Sequence, residues 1–333
     1  MKNGLWLTTV PSHRVAAGCP NVPSMSLEVT RDMILDSADR IEPFIRRTPV
    51  LTLSETGAAE HELSLKLDSL QVTGSFKPRG AFSILTAADV PDAGVVAASG
   101  GNFGLAIAYA ANVLGHRATV FVPDTSPEEK LGRIAQYGAD VRRIPGYYAA
   151  ALEASMGYAA DSGGFVAHAY DQREVVAGQG TNGLEISQQA PDVDTVLVAV
   201  GGGGLIGGIA SWFRSDVRVI AVEPALCPTL YAAREVGGPV DVEVSGVASS
   251  SLGAARLGEY PWFANQWIDD ALLVGEEEIL EAQKWLWREA RIVSETAASC
   301  PIAALLTGGY RPEPGERVVA MISGANTDPG SVL

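Results

Sequence analysis

Five runs of the chain are apolar at almost every position, and most pass directly into a stretch of helical periodicity. GVVAAS (94–99) precedes FGLAIAYAANVLG, ATVFVP (118–123) precedes EEKLGRIAQYG, and TVLVAV (195–200) precedes LIGGIASWF. RVIAVE (218–223) leads into PTLYAAREVG, and RVVAMIS (317–323) stands near the end. A strand that is apolar throughout, not alternately, is buried on both faces, and strand followed by helix is the unit of a parallel sheet. The fold class is therefore α/β, with parallel sheets flanked by helices. Such sheets bind ligands where strands end and helices begin. Upstream, SLEVTRDMILDSADRI spaces Val29, Met33, Ile34, Ala38 and Ile41 as one helical face, with Ser26 as the expected cap.

With 333 residues, 47% of them hydrophobic, the chain can build one large domain or two interlocked ones. A net charge of −15 and a pI near 4.7 leave no basic face for nucleic acid or anionic lipid. Cys19, Cys227 and Cys300 are scattered, which suggests neither disulfide nor zinc and points to a reducing cytoplasm. Pro11, His13 and Arg14 interrupt any signal-like apolar core, so residues 1–24 are expected to form a loosely ordered N-terminal extension. No stretch approaches transmembrane length.

The junctions are rich in glycine. AVGGGGLIGGIA (199–210) joins a strand to a helix, where bare amides and the positive helix end make a phosphate cradle. Gly202, Gly204 and Gly207 also satisfy G-x-G-x-x-G, and Glu223 ends the next strand, so a nicotinamide-dependent dehydrogenase is a rival reading. The same glycines would serve any phosphate, or close packing alone. In ASGGNFGLA (98–106), Ser99 and Asn102 stand at a helix mouth suited to a carboxylate, or act as ordinary caps. ISGANTDP (322–329) carries Ser323 just past a buried strand, and could be a polar turn. TGSFKPRGA (73–81) holds Lys77, one of five lysines, in what reads as a tight turn.

Taken in order, GSFKPRGA, SGGN, AGQGTNGLEI (177–186), GGGGL and SGANTD resemble the pyridoxal-phosphate-dependent threonine and serine dehydratases of the fold type II group, to which serine racemase also belongs. The resemblance spans about residues 26–328. It implies a two-domain, tryptophan synthase β-like architecture. Residues 25–80 and 166–333 would form the large cofactor-binding domain and 81–165 a small mobile domain, in a homodimer acting on a small amino acid. Lys77 would be the Schiff-base lysine, with Phe76 beside the cofactor. Gly201, Gly202, Gly203, Gly204 and Leu205 would hold the phosphate, Asn102 the ring 3′-oxygen, and Ser323 the pyridine nitrogen. A neutral serine there leaves the ring a weaker electron sink, which favours prompt loss of a β-group.

The resemblance also implies that Ser75 (or Thr73), Ser99, Gly101, Asn102 and Phe103 meet the substrate carboxylate, with Glu295 a second-rank candidate near the ring. Phe103 departs from the family, where histidine is common, and is expected to pack the helix. Some relatives hold a divalent cation with a glutamate and an aspartate six residues on. Here Glu223 is followed by Thr229, so no metal is expected, and Glu223 would matter only in a degenerate site. His168 is expected to be a structural strand-end residue, and no C-terminal regulatory domain is expected. The implied activity is β-elimination, by dehydration and deamination, of a small β-hydroxy amino acid to a 2-oxo acid and ammonia. L-Threonine and L-serine are the first candidates. A specialised β-elimination or β-replacement in secondary metabolism is the alternative. Gly100 stands where serine racemases carry the serine that protonates the opposite face, so racemisation is not expected.

Overall fold

The computed structural model describes residues 26–53, 62–126, 128–146 and 148–332. The expected 1–24 extension, with Cys19, lies outside the described residues. Among the described residues, ten strands build two sheets: β1 (Val50–Leu53), β2 (Leu63–Leu67), β3 (Val95–Ala98), β4 (Ala118–Pro123), β5 (Asp140–Ile144), β6 (Phe165–Val166), β7 (Thr195–Ala199), β8 (Arg218–Pro224), β9 (Asp270–Val274) and β10 (Val318–Ile322). One sheet has the order β1-β2-β10-β7-β8-β9, and the other β5-β4-β3-β6. Only the β1–β2 pairing is antiparallel.

The five apolar runs form β3, β4, β7, β8 and β10. Four of the other strands, β1, β5, β6 and β9, are sheet edges. An edge strand is covered on fewer sides and needs no continuous apolar run. The fifth, β2, is interior and holds Lys66, which is 0% exposed. Its ammonium is satisfied by Glu185, Gln189 and the Thr48 carbonyl. Arg79, also 0% exposed, pairs with Asp68 and Glu185 in the same cluster, so two cations meet two carboxylates. That balance is what lets four charges sit in the interior.

Helices cover both sheets. Lys77–Ala87 packs on Asn102–Leu114 around Phe82 and Ile107 on one side, and on Arg173–Gln189 on the other. The helix Gly204–Phe213 lies unusually close to Arg173–Gln189: a Cβ at Gly208 would stand 2.4 Å from the Gly180 nitrogen. Part of the glycine pattern at 201–208 therefore serves helix–helix contact. The first helix is Arg31–Ile41, capped by Thr30, whose hydroxyl accepts from the Met33 amide at 3.3 Å. Ser26, the expected cap, accepts instead from Glu28, and Val29 lies before the helix. No helix among the described residues is long and apolar enough to cross a membrane.

Candidate active site

The turn that carries Lys77 is built from two left-handed residues, Thr73 (φ 63°) and Gly74 (φ 81°). That conformation is costly for a β-branched threonine and is held by its surroundings. Ser75 pairs with Gly324, the Phe76 amide donates to the Ser323 carbonyl at 3.0 Å, and the Ala325 amide donates to the Gly74 carbonyl at 2.9 Å. The lysine turn is thus docked onto the chain leaving β10. Helix Lys77–Ala87 then starts, with Pro78 in its first turn, where no amide hydrogen bond is lost.

Lys77 is no solvated loop lysine. Its Nζ donates to the Ala169 carbonyl at 3.0 Å, and lies 4.9 Å from the Phe76 ring centre and 5.8 Å from that of Phe103. Burial lowers its pKa to about 8, against the opposing pull of the Glu295 carboxylate. Phe103 is 2% exposed within the hydrophobic core, so it both packs its helix and walls the lysine.

Gly203 (φ 87°) caps helix Gly204–Phe213, whose first amides have no intrahelical acceptor. A Cβ at Gly202 would stand 2.4 Å from the Tyr170 ring, and one at Gly201 3.1 Å from the Leu252 Cα. The loop is bare because protein presses on its back. Leu205 offers a first-turn amide while its side chain joins the core.

At the second junction, Gly101 caps helix Asn102–Leu114, and the Ser99 hydroxyl accepts from the Gly101 amide at 3.3 Å. The Asn102 amide nitrogen donates to both Glu295 oxygens, at 2.9 and 3.0 Å. Glu295 also accepts from the Asn326 amide at 2.9 Å and from the Ser251 hydroxyl. The second-rank candidate is therefore tied directly to a first-rank one. Sequence reading assigned no role to Asn326, Ser251 or the Ala169 carbonyl. Asn326 was at least visible within SGANTD, and Ser251 within the loop GVASSSLG (246–253).

Ser323 is 8% exposed and lies where the lysine turn docks. The Thr73 and Ser75 hydroxyls are buried and unpaired. Buried polar atoms without partners are rare in folded proteins, and these two sit in the lysine turn itself. A cleft of about 440 Å³, lined by Gly100, Gly101, Asn102, Ser251, Glu295 and Asn326 among others, is joined to the lysine turn through Asn326, whose Nδ2 donates to the Thr73 carbonyl at 2.8 Å. A buried low-pKa amine, a helix-start amide cradle and unpaired hydroxyls are the donor set an aldehyde-bearing, phosphorylated ring requires. The residues fit that group.

Glu223 has a different task. It accepts from the Leu230 and Tyr231 amides, at 2.8 and 2.7 Å, and lies 3.0 Å from the Thr229 hydroxyl, so it caps helix Thr229–Val236. Burial raises its pKa to about 7. The His168 Nδ1 accepts from the Asp171 amide at 3.0 Å and the Tyr170 amide at 3.4 Å, a loop-shaping role, and burial lowers its pKa.

The family model described as "Pyridoxal-phosphate dependent enzyme" matches residues 41–324. The chain belongs to this family. Its cofactor is pyridoxal phosphate, and the glycine pattern that suggested a dinucleotide belongs to a pyridoxal-phosphate enzyme. L-Threonine ammonia-lyase of Geobacter sulfurreducens is 35% identical over 89% of this chain and 75% of its own length. Serine racemase of Arabidopsis thaliana is 31% identical over 90% of this chain and 93% of its own. Among solved structures, maize serine racemase superposes with a TM-score of 0.86 at 27% identity, covering 91% of this chain and 95% of that one. The T.th. threonine deaminase gives 0.84 at 33% identity, covering 90% and 99%. The two-sheet arrangement is the fold type II of this family.

Proposed function

We propose that this family member eliminates water from a small β-hydroxy amino acid, L-threonine or L-serine in the first instance, and releases a 2-oxo acid and ammonia. The observation that carries the reading is Lys77, a buried amine with a pKa of about 8 whose turn is fixed beside Ser323. The threonine ammonia-lyases and deaminase among its relatives support it. When bound, pyridoxal phosphate supplies the electron sink that acidifies the substrate Cα–H.

The chain's own residues supply the rest. Lys77 would hold the cofactor aldehyde, and its amine would be the base that takes the substrate Cα proton; an amine that is partly neutral near pH 7–8 suits both roles. The amides of Gly201 to Leu205 would hold the phosphate at the helix start, and Ser323 would serve the pyridine nitrogen as a neutral partner. Ser75, Ser99 and the start of helix Asn102–Leu114 receive the α-carboxylate. Asn102 would orient the ring oxygen, and Glu295 and Asn326 hold its side chain in place. Phe76 and Phe103 keep water from the lysine.

Residues 25–80 and 166–333 act as the large domain, and 81–165, which contain β3, β4, β5 and most of their helices, as a smaller one that closes over substrate. A cytoplasmic homodimer completes the proposal, the compartment resting on the three scattered cysteines and the dimer on the resemblance. The test is incubation of purified holoenzyme with a panel of β-hydroxy amino acids. Ammonia and 2-oxo acid should appear in equal amounts, and their absence with every member of the panel would overturn the reading.

A further inference from the structure

The cleft that Glu295 lines is also walled by helix Glu128–Gln136, which presents Lys130 and Arg133, three residues and so one turn apart. Arg133 is half-buried. Its Nη1 donates to the Asn326 Oδ1 at 2.9 Å, and the Asn326 Nδ2 donates to the Asn102 Oδ1 at 2.8 Å. The guanidinium therefore stands two hydrogen bonds from the helix mouth assigned to the α-carboxylate.

Among the described residues, the one partner that holds Arg133 is thus a neutral amide oxygen. The acids nearby are otherwise placed. Glu295 is saturated by Asn102, Asn326 and Ser251, Asp328 accepts from the Gly330 amide, and Glu129 is exposed to solvent. A guanidinium carries five N–H donors, and a neutral amide oxygen satisfies one. A half-withdrawn charge with spare donors is stabilised by an anion that can take two of them at once. The rest of the lining is unsuited to an alkyl group, since Ser250, Ser251, Thr296 and Thr327 supply hydroxyls and only Leu105 and Ala325 are apolar.

We propose that Arg133, assisted by Lys130, binds a second carboxylate at the side-chain end of the substrate. The preferred substrates are then 2-amino-3-hydroxy dicarboxylic acids in place of threonine. This rests on the β-elimination reading and names its substrate class. The reaction balances as before. The Cα proton and the β-hydroxyl leave together as water, one water returns in hydrolysis of the resulting imine, and the net products are a 2-oxo dicarboxylic acid and ammonia.

Two measurements test it on the holoenzyme. In the first, thermal stability is followed with succinate and with butyrate, which match in length and differ by one carboxylate. Succinate should stabilise the wild type at concentrations where butyrate does not, Arg133→Met should remove the difference, and Arg133→Lys should restore part of it. Equal effects of the two acids, or a difference that survives in Arg133→Met, would overturn the assignment. In the second, kcat/KM is compared for threo-3-hydroxyaspartate and L-threonine. The wild type should favour the dicarboxylic substrate at least tenfold, and Arg133→Met should lose at least tenfold more on it than on threonine. Equal losses on both would make Arg133 only a strut for Asn326 and refute the proposal. If succinate binds through Arg133 but no β-hydroxy amino acid is turned over, the anion site stands and the elimination reading fails. If threonine is turned over and succinate is not distinguished, the anion site alone fails.

Discussion

The buried lysine yields a quantitative expectation for how the apoenzyme captures its cofactor. Only a neutral amine attacks an aldehyde, and the environment of Lys77 lowers its pKa from 10.5 to about 8, chiefly through burial. At pH 7 an amine of pKa about 8 is about one-tenth neutral, whereas one at 10.5 is neutral in about three molecules per ten thousand, a ratio of about 300. The direction follows from the sign of the shift: lowering the pKa moves the rise of the capture rate to lower pH. The rate should climb with pH, bend near pH 8 and then level off. The assay mixes apoenzyme with pyridoxal phosphate across pH 6 to 11, fixes the link with borohydride at timed intervals, and counts the label on the Lys77 peptide by mass spectrometry. Each rate is divided by the rate constant of the neutral form of a simple alkylamine at the same pH, its own protonation having been factored out, which removes the cofactor's own titration. Lys77→Ala should leave no fixed label. A capture rate that keeps rising to pH 10, or a label on Lys66, Lys130 or Lys284 in the variant, would refute the reasoning.

With Ser323 as the proposed partner of the ring nitrogen, Ser323→Ala would remove one hydrogen bond and no covalent link, so cofactor should stay bound while kcat falls by up to about tenfold; an unchanged rate would dismiss Ser323 from that role. Asp68→Ala leaves the Arg79 guanidinium, which is 0% exposed, without its bidentate partner and should cost about 3–5 kcal/mol in urea unfolding. A loss below about 1 kcal/mol would show that the cluster does not depend on this pair. Incubation with L-serine in deuterium oxide should give pyruvate and ammonia without D-serine, because Gly100, which stands where the resemblance puts the racemases' second proton donor, carries no hydroxyl. D-Serine accumulating as fast as pyruvate would place a proton donor on the opposite face, and loss of it in Ser126→Ala would name the donor.

What the sequence made legible follows from how each element is buried. The interior strands β3, β4, β7, β8 and β10 carry their burial in continuous apolar runs and could be read directly. Strand β2 could not, because the groups that satisfy Lys66, the carboxylate of Glu185 and the amide of Gln189, lie 119 and 123 residues away. The same limit applied at the site. The motifs around Lys77, Asn102 and Ser323 are local and visible, while the contact that joins Asn102 to Glu295 spans 193 residues and exists only once the two sheets are brought together. Glu223 shows the opposite case. Its position at a strand end was legible, and its partners, the amides of Leu230 and Tyr231 beside Thr229, are close in sequence, yet only the start of a helix at Thr229 turns those amides toward it.

Gly100 exposes a subtler gap between absence of a side chain and absence of chemistry. A Cβ there would stand 2.7 Å from the Ser126 hydroxyl oxygen and 3.7 Å from the Val122 Cβ. The volume beside Gly100 is therefore already taken by a hydroxyl from the loop after β4. A serine introduced at position 100 would meet Ser126 before it could present its own proton donor. A racemase-like arrangement thus requires two changes here, not one: a hydroxyl at position 100 and a smaller residue at position 126. Gly100→Ser alone should disturb the small sheet without conferring racemisation, and the pair Gly100→Ser with Ser126→Gly is the combination in which the new hydroxyl has room. Chiral analysis of serine recovered from each variant checks this, and D-serine formed by Gly100→Ser alone would refute it.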